Sequence, residues 1–252
     1  MHRLSAVVIT KNEEGNIEKT LHALAAVADE IIIVDNYSTD NTAAIAKTMG
    51  AKVFFSEWLG FGPQKNFGIS QAQYENIIAL DADEVLTAEA IEEIGQLKQN
   101  GFKAVYELPL KNFYFGKFLR KKDYKKRIFN KNDVQWNAND VHEALVIPEN
   151  YPVIKLKGTI EHYSYHSIDH FISKSSLYSG IAARELFARN KRSYRVKLIV
   201  SPAYTFFQSY ILKGGFLDGM HGFVVARLNG YTSFLKYAKL GELCRQEKIK
   251  SK

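Results

Sequence analysis

The sequence predicts an α/β fold, with a parallel sheet covered by helices and a helical C-terminal extension. Short β-branched apolar runs alternate with helix-spaced segments over the first hundred residues, whereas helical periodicity dominates after residue 171. Strands separated by helices of this length form βαβ units, in which the strands are parallel. With 252 residues, of which 46% are hydrophobic, the chain is long enough for one large domain with an appendage.

Four strands and three helices are predicted within the first hundred residues. Four apolar runs have the length and β-branched content of buried strands: LSAVVIT (4–10), EIIIVDN (30–36), AKVFFSE (51–57) and NIIALDADE (76–84). Helices are predicted between these runs: one at residues 16–27, one that begins at an N-cap of Ser38, Asp40 or Asn41 and stops at Gly50, and one at residues 64–72.

Polar side chains cluster at the C-terminal ends of three predicted strands. They are Thr10 to Glu13 after the first strand, Asp35 and Asn36 after the second, and Asp81 to Asp83 after the fourth. Ligands of parallel α/β sheets bind at this edge. Each residue alone could be an ordinary helix cap, but three clusters at one edge predict an acidic ligand site. The carboxylates of residues 81–84 repel one another, so a cation is needed to offset the repulsion.

Two common nucleotide-binding motifs are missing from the sequence. No G-x-G-x-x-G follows the first strand, and G-x-x-x-x-G-K-[ST] does not occur. The standard dinucleotide-binding and P-loop classes are therefore excluded. A sugar-nucleotide pyrophosphorylase is disfavoured as well, because it needs a Gly-rich phosphate loop where this chain has TKNEEGN.

The net charge of +7 is concentrated in the C-terminal part. Residues 184–252 carry 14 Lys and Arg against 4 Asp and Glu, whereas residues 1–183 carry 20 against 23. Such a basic extension indicates an anionic membrane surface, nucleic acid or a merely solvated face. Aromatic residues are interleaved with its cations: Phe206, Phe207, Tyr210, Phe216 and Phe223 among Lys197, Lys213 and Arg227. This mixture is typical of helices in the membrane interface, although the aromatic rings could instead pack on the preceding domain.

Cysteine content and hydropathy favour a soluble or peripheral protein. Cys244 is the single cysteine, which excludes an intramolecular disulfide framework and suits a reducing compartment. The longest uncharged apolar-rich run, residues 198–212, is shorter than a bilayer-spanning helix. The first residues also lack the apolar stretch of a signal peptide.

Residues 99–170 have a different character from the first hundred. AVYELPLKNFYFGKFL predicts one or two strands with a turn near Gly116, and RKKDYKKRIFNKN predicts a loop with seven Lys and Arg. This loop could bind a phosphate-bearing partner or nucleic acid, or simply be solvated. His162, His166 and His170 are four residues apart, but TIEHYSY predicts a strand, so they do not form a helical metal site.

Four segments together resemble one enzyme family. The sugar-nucleotide-binding half of family-2 glycosyltransferases, which have the GT-A fold, is similar in order and spacing to SAVVITKNEEGNIEKTL, EIIIVDNYSTDNT, GFGPQKNFG and IIALDADEVL. More narrowly, QKNFG…LDADE and the tail ILKGGFLDGMHGF…FLKYAKL resemble bacterial lipopolysaccharide core glucosyltransferases. The resemblance implies a Rossmann-like mixed sheet over residues 1–170, with a nucleotide-sugar half (1–98) and an acceptor half (99–170). A helical C-terminal extension would follow at 171–252.

The resemblance also implies a divalent metal and a UDP-sugar donor. Asp83 would bind Mg²⁺ or Mn²⁺, Asp81 would contact the ribose or reach the metal through water, and His162 would complete the metal sphere. Oxygen ligands suit these cations, which neutralise the charge of a leaving diphosphate. The residues expected around the nucleotide are Thr10, Asn12, Glu13, Asp35, Gln64, Lys65 and Asn66. A solvated surface position is the alternative for Lys65.

An inverting transfer also needs a carboxylate that removes the proton from the acceptor hydroxyl. By resemblance, Glu143 is the expected base and Asp140 the reserve. The implied function is transfer of a hexose, with glucose expected, to a glycolipid such as the lipopolysaccharide inner core. The enzyme would work at the cytoplasmic face of the inner membrane and touch it through its C-terminal helices. The alternatives are another cell-envelope polysaccharide as acceptor, or a nucleic-acid-binding protein, which is disfavoured because no recognition motif occurs.

Overall fold

The computed structural model describes residues 2–137 and 143–250, and the chain forms two compact units. The first unit comprises Met1–Lys111 and Lys122–Tyr163, and the second comprises Asn112–Lys121 and Ser164–Lys252. The functional division at residue 170 that the sequence suggests stays a prediction.

Eleven strands are found within the described residues. They are β1 (Leu4–Thr10), β2 (Glu30–Asp35), β3 (Lys52–Phe55), β4 (Asn76–Asp81), β5 (Glu84–Leu86), β6 (Val105–Tyr114), β7 (Lys117–Asn130), β8 (Gln135–Trp136), β9 (Leu145–Val146), β10 (Val153–Lys155) and β11 (Ile160–Tyr165). The helices are α1 (Ile17–Ala25), α2 (Thr42–Thr48), α3 (Phe61–Ser70), α4 (Ala88–Asn100), α5 (Ile168–Ala188), α6 (Arg195–Phe207) and α7 (Gly219–Lys250). A π-helical turn (Gln208–Leu212) and a 3₁₀ turn (Gly215–Asp218) connect α6 to α7.

The main sheet is mixed, as the family resemblance implies. Its strand order is β3-β2-β1-β4-β7-β6-β11-β5, and β10 pairs with β6. The first four strands of this order are parallel, whereas β7 joins β4 in antiparallel orientation and β11 pairs antiparallel with β5. The parallel sheet that periodicity predicts for the first hundred residues is therefore correct for β1 to β4, and beyond them the sheet is mixed, with β10 parallel to β6.

Side chains of the parallel strands alternate between two apolar layers, as the period of two in a strand requires. On one face, Ala6, Val8 and Ile33 pack with Leu21 of α1 and Ile94 of α4. On the other face, Val7, Ile32, Ile77 and Phe129 of the sheet pack with Ile69 of α3. Burial on both faces explains why these strands are almost continuously apolar.

The register of the sheet brings the polar strand ends together. Thr10 lies opposite Asp35 in the β1–β2 pair, and Ile9 lies opposite Asp81 in the β1–β4 pair. The segment predicted as a single strand at 76–84 is in fact two short strands, because the chain turns at residues 82–83 between β4 and β5. The acidic cluster therefore occupies a tight turn at the edge of the sheet.

The basic segment 120–131 differs from its prediction. Most of it belongs to the long strand β7, and the turn between β6 and β7 lies at Phe115–Gly116, close to the predicted position. Residues 120–125 are exposed, so their charges stay in water and do not oppose strand formation. The prediction of a loop was wrong for this reason.

In the second unit, α5 and α6 both pack on α7. The aromatic side chains singled out in the sequence contact one another here: Phe206 lies 5.6 Å from both Tyr210 and Phe223, and Tyr210 lies 6.5 Å from Phe216. None of the helices in the described ranges has both the length and the apolar character required to cross a bilayer.

Candidate active site

Two carboxylates, the half-buried Asp81 at the end of β4 and the buried Glu84 at the start of β5, share one buried arginine. Arg127, on β7 beside β4, is 3% exposed, and its Nη2 lies 2.9 Å from Asp81 Oδ2 while also contacting Glu84 Oε1. Glu84 is 1% exposed and accepts a hydrogen bond from the Asp81 backbone N–H at 3.2 Å. The turn between β4 and β5 is thus fixed by an ion pair whose partners are 43 residues apart in sequence.

A second buried cation, Lys65, joins the acidic turn to Glu143. Lys65 projects from α3, is 1% exposed, and places Nζ 3.1 Å from Asp81 Oδ1 and 3.3 Å from Glu143 Oε1. The ammonium also lies 4.7 Å from the ring centroid of Trp136, within the range of a cation–π contact. Lys65 is therefore not a solvated surface residue, and the protein itself supplies two cations to the crowded carboxylates.

The pKa values of the two carboxylates of this cluster shift in opposite directions. Burial raises the pKa of Asp81, but the charges of Lys65 and Arg127 lower it by more than burial raises it. The pKa of Asp81 therefore lies well below its usual range. Burial also raises the pKa of Glu84, and Arg127 only partly offsets this, since the charge of Asp81 adds to the rise. The pKa of Arg127 is lowered by burial but raised more strongly by Glu84 and Asp81, so the guanidinium stays charged.

Asp83 and His162 form the part of the site that fits a metal. His162 Nε2 lies 3.3 Å from Asp83 Oδ2, and the pairing of β11 with β5 places His162 opposite Glu84. Burial lowers the pKa of His162, but the hydrogen bond and charge of Asp83 raise it by more, so the net shift is upward. A carboxylate and an imidazole at this distance suit a divalent cation that takes its other ligands from diphosphate and water.

The described residues contain no group of three or more His, Cys, Asp or Glu side chains arranged to hold a metal. Both carboxylate oxygens of Asp81 face cations of the protein. Asp83 and His162 thus fit the predicted metal, whereas a contact of Asp81 with the ribose, or with the metal through water, stays a prediction.

Three buried polar atoms without a hydrogen-bond partner among the described residues lie where the nucleotide is predicted to bind. Asp35 is fully buried, and its Oδ1 accepts a hydrogen bond from the Ser38 N–H at 2.6 Å. Its Oδ2 has no hydrogen-bond partner among the described residues, and the same holds for Thr10 Oγ1 and Gln64 Nε2. Native proteins rarely leave such atoms unpaired, so these three positions are suited to a polar ligand.

Asn12 and Glu13 connect the loops that follow β1 and β2. Asn12 adopts φ +54°, its side-chain oxygen accepts from the Thr39 N–H at 2.8 Å, and its own N–H donates to Ser38 at 2.8 Å. Glu13 donates its N–H to Thr42 Oγ1 at 2.8 Å. These bonds give both residues a structural role, and their contacts with a nucleotide stay predictions.

Asn66 has a position that the sequence did not reveal. Its Nδ2 donates to the Trp136 carbonyl at 2.8 Å and its Oδ1 accepts from the Trp136 N–H at 3.0 Å. A Cβ at Gly62 on the same helix would collide with the Asn137 carbonyl, which shows how closely α3 approaches this segment. Asn66 therefore holds β8, and its predicted contact with phosphate or ribose is untested.

Lys65 links the candidate base Glu143 to the acidic turn, whereas Asp140 lies outside the described residues.

Two members of the ionic cluster, Glu84 and Arg127, were not predicted as site residues. A signal was present, because Arg127 directly precedes the buried pair Ile128 and Phe129, where a lone charge must find a partner.

Comparisons with known proteins agree with this architecture. The family model described as Glycosyl transferase family 2 matches residues 5–145, more than half of the chain. An uncharacterized glycosyltransferase of Rickettsia typhi is 33% identical, with 96% of this chain and 88% of the relative covered. The lipopolysaccharide core biosynthesis glycosyltransferase LpsC of Rhizobium meliloti is 27% identical, with 94% and 91% covered.

Among solved structures, residues 1–349 of S. aureus TarS are 17% identical, with a TM-score of 0.48 and coverage of 97% of this chain and 92% of that chain. The extent of the family match, the identity to the Rickettsia relative and the mixed sheet lead to one conclusion. The chain belongs to glycosyl transferase family 2 and has the GT-A fold with a helical C-terminal part.

Proposed function

We propose that this family-2 glycosyltransferase moves a hexose, with glucose expected, from a UDP-sugar to a membrane-associated glycolipid with inversion at the anomeric carbon. One observation carries the proposal: Lys65 lies within 3.3 Å of both Asp81 in the acidic turn and Glu143. A donor-binding carboxylate and a candidate base thereby belong to one ionic cluster.

The donor would lie along the carboxyl edge of β1, β2 and β4. The three unpartnered buried atoms, on Thr10, Asp35 and Gln64, supply acceptors and a donor for the base and ribose. Asp83 and His162 would hold Mg²⁺ or Mn²⁺, and the bound cation would neutralise the charge that develops on the leaving diphosphate. Lys65 and Arg127 keep Asp81 ionised beside it.

Glu143 is the proposed general base. A carboxylate separate from the metal-binding residues can take the proton of the attacking hydroxyl. The Lys65 ammonium orients Glu143 at 3.3 Å, and Asn66 holds the backbone of Trp136, seven residues before it. Because α3 contributes both contacts, this helix fixes the position of the base relative to the acidic turn.

The proposed acceptor is a glycolipid of the cell envelope, such as the lipopolysaccharide inner core. The similarity to LpsC over 94% of the chain supports this choice, as does the basic C-terminal part. Such an acceptor places the enzyme at the cytoplasmic face of the inner membrane, in peripheral contact with it through the C-terminal helices.

The first test is calorimetric titration of UDP-glucose into the wild type and Asp83→Ala, with and without Mn²⁺. We expect Mn²⁺-dependent binding that is lost in Asp83→Ala, because that substitution removes the carboxylate that fits the metal. Other UDP-sugars, titrated in parallel, test the choice of glucose. Absence of binding for every UDP-sugar in both conditions would refute the proposed donor.

A further inference from the structure

Helix α6 carries an exposed apolar stripe. Val196, Ile199, Val200, Tyr204 and Phe207 recur at the spacing of one helical face, and their exposed fractions are 67%, 78%, 57%, 57% and 48%. No residue of α6 is buried. A stripe of this length on a water-soluble surface indicates an interaction site, since isolated exposed apolar residues are common but aligned ones are not.

The opposite face of α6 is already occupied by α7. Phe206 lies 5.6 Å from the ring of Phe223 and 5.3 Å from the guanidinium of Arg227. The Pro202 carbonyl lies so close to Gly230 that a Cβ at Gly230 would be 3.0 Å from it. These contacts fix the rotation of α6 about its axis, so the stripe stays on the side away from α7.

The chain segment that carries the stripe is rich in cations. Residues 186–217 contain six Lys and Arg and no Asp or Glu. Lys191 and Lys197 line a cavity of about 260 Å³ at the beginning of α6, whose walls include Leu186 and Leu240. The third cation of this lining, Arg192, already forms an ion pair with Glu247 at 3.0 Å.

We propose that the α6 stripe, together with Lys191 and Lys197, binds the surface of a membrane that contains anionic lipids. The inference rests on the proposed function, for which it names the docking surface. Apolar side chains of an interfacial helix enter the boundary between headgroups and acyl chains, while neighbouring cations contact the headgroup phosphates. Pairing with a second copy is disfavoured because two surfaces rich in lysine and arginine would repel each other.

Vesicle flotation tests this docking surface without requiring activity. The full chain is mixed with two kinds of vesicle. One contains phosphatidylcholine alone, and the other contains phosphatidylcholine with about 30% phosphatidylglycerol, so that about a third of its headgroups are anionic. Ile199→Asp is compared with Ile154→Asp, since Ile154 on β10 in the first unit is also exposed, at 46%. Lys191→Gln/Lys197→Gln tests the charges, and thermal melts by circular dichroism confirm that each variant is folded.

We expect the wild type to bind the anionic vesicles and to bind the neutral ones far more weakly. Each lysine near an anionic surface contributes about fivefold in affinity, so the double lysine variant should bind roughly 25-fold more weakly. Ile199→Asp should lose roughly tenfold or more, whereas Ile154→Asp should match the wild type.

Three results would overturn the docking surface. The first is that the wild type does not bind anionic vesicles. The second is that Ile154→Asp and Ile199→Asp lose vesicle binding to the same extent. The third is that the wild type forms a concentration-dependent dimer, which Ile199→Asp separates, and does not bind vesicles. UDP-glucose titration of the same samples keeps this question apart from the donor, because a protein that binds UDP-glucose but no vesicles refutes only the membrane surface.

Discussion

Removing Arg127 tests whether the buried ion-pair cluster organises the acidic turn. Arg127→Met keeps the apolar volume of the side chain but leaves Glu84, which is 1% exposed, without its counter-charge. Breaking a buried pair by deleting one partner costs about 3–5 kcal/mol in the free energy of unfolding. A loss of this size would consume a large part of the stability of an ordinary domain.

Equilibrium urea unfolding at pH 7.5 and 5.5 measures this loss, with Arg3→Met as the control. Arg3 pairs with Asp29 at 2.7 Å but is exposed, so its removal should change stability little. The pKa of Glu84 is raised in the folded state, so its protonated form is favoured there, and its contribution to stability falls as pH rises through that pKa. Losing Arg127 raises that pKa further, so the deficit of the variant should be smaller at pH 5.5 than at pH 7.5.

The double variant Glu84→Gln/Arg127→Met separates charge from packing. It removes both charges of the pair, so we expect it to recover part of the stability lost in Arg127→Met. A deficit in Arg127→Met no larger than that of Arg3→Met, or a double variant as unstable as the sum of its single changes, would refute the reasoning.

The remaining predictions concern residues around the acidic turn. Glu143→Gln should retain UDP-sugar binding by calorimetry but lose about 10²-fold or more in turnover, and an unchanged kcat would exclude Glu143 as the base. Lys65→Met should weaken UDP-sugar binding and lower turnover together, because it frees both Asp81 and Glu143, whereas Lys52→Met, which removes an exposed ion pair, should do neither. Asn66→Ala should lower unfolding stability by about 1–3 kcal/mol and reduce kcat, since it removes two hydrogen bonds to Trp136; a wild-type urea midpoint would contradict this. The depressed pKa of Asp81 means that its contribution to stability is present above about pH 4 and is lost as pH falls further, so Asp81→Asn should flatten the acid limb of the stability profile.

Local pattern was sufficient to predict β1 to β4 and the edge at which their polar ends meet. Strand β7 was missed because its seven cations suggested a loop, yet most of its charged residues project into water while Ile128 and Phe129 enter the core. Backbone pairing with β4 tolerates exposed charge, which composition alone does not reveal.

The ion pairs of the site depend on contacts that are distant in sequence. Lys65 and Glu143 are 78 residues apart, and Arg127 and Asp81 are 46 apart. The local sequence around Lys65 would be the same whether this lysine bound a phosphate or lay buried between two carboxylates. Only the folded chain distinguishes these two roles. The resemblance therefore predicted that Asp83 and His162 lie close together, but it did not predict the ion pairs that Lys65 and Arg127 form with the neighbouring carboxylates.

The origin of Arg127 on β7 also affects how far the chain can be shortened. Residues 1–98 are the predicted nucleotide-sugar half, but the arginine that faces Asp81 and Glu84 comes from beyond them. A fragment ending near Asn100 would have to hold the buried Glu84 and the half-buried Asp81 without it. We therefore expect that this half is not an exchangeable module, and that hybrid enzymes made by joining it to another acceptor half would need an equivalent arginine on the partner's strand.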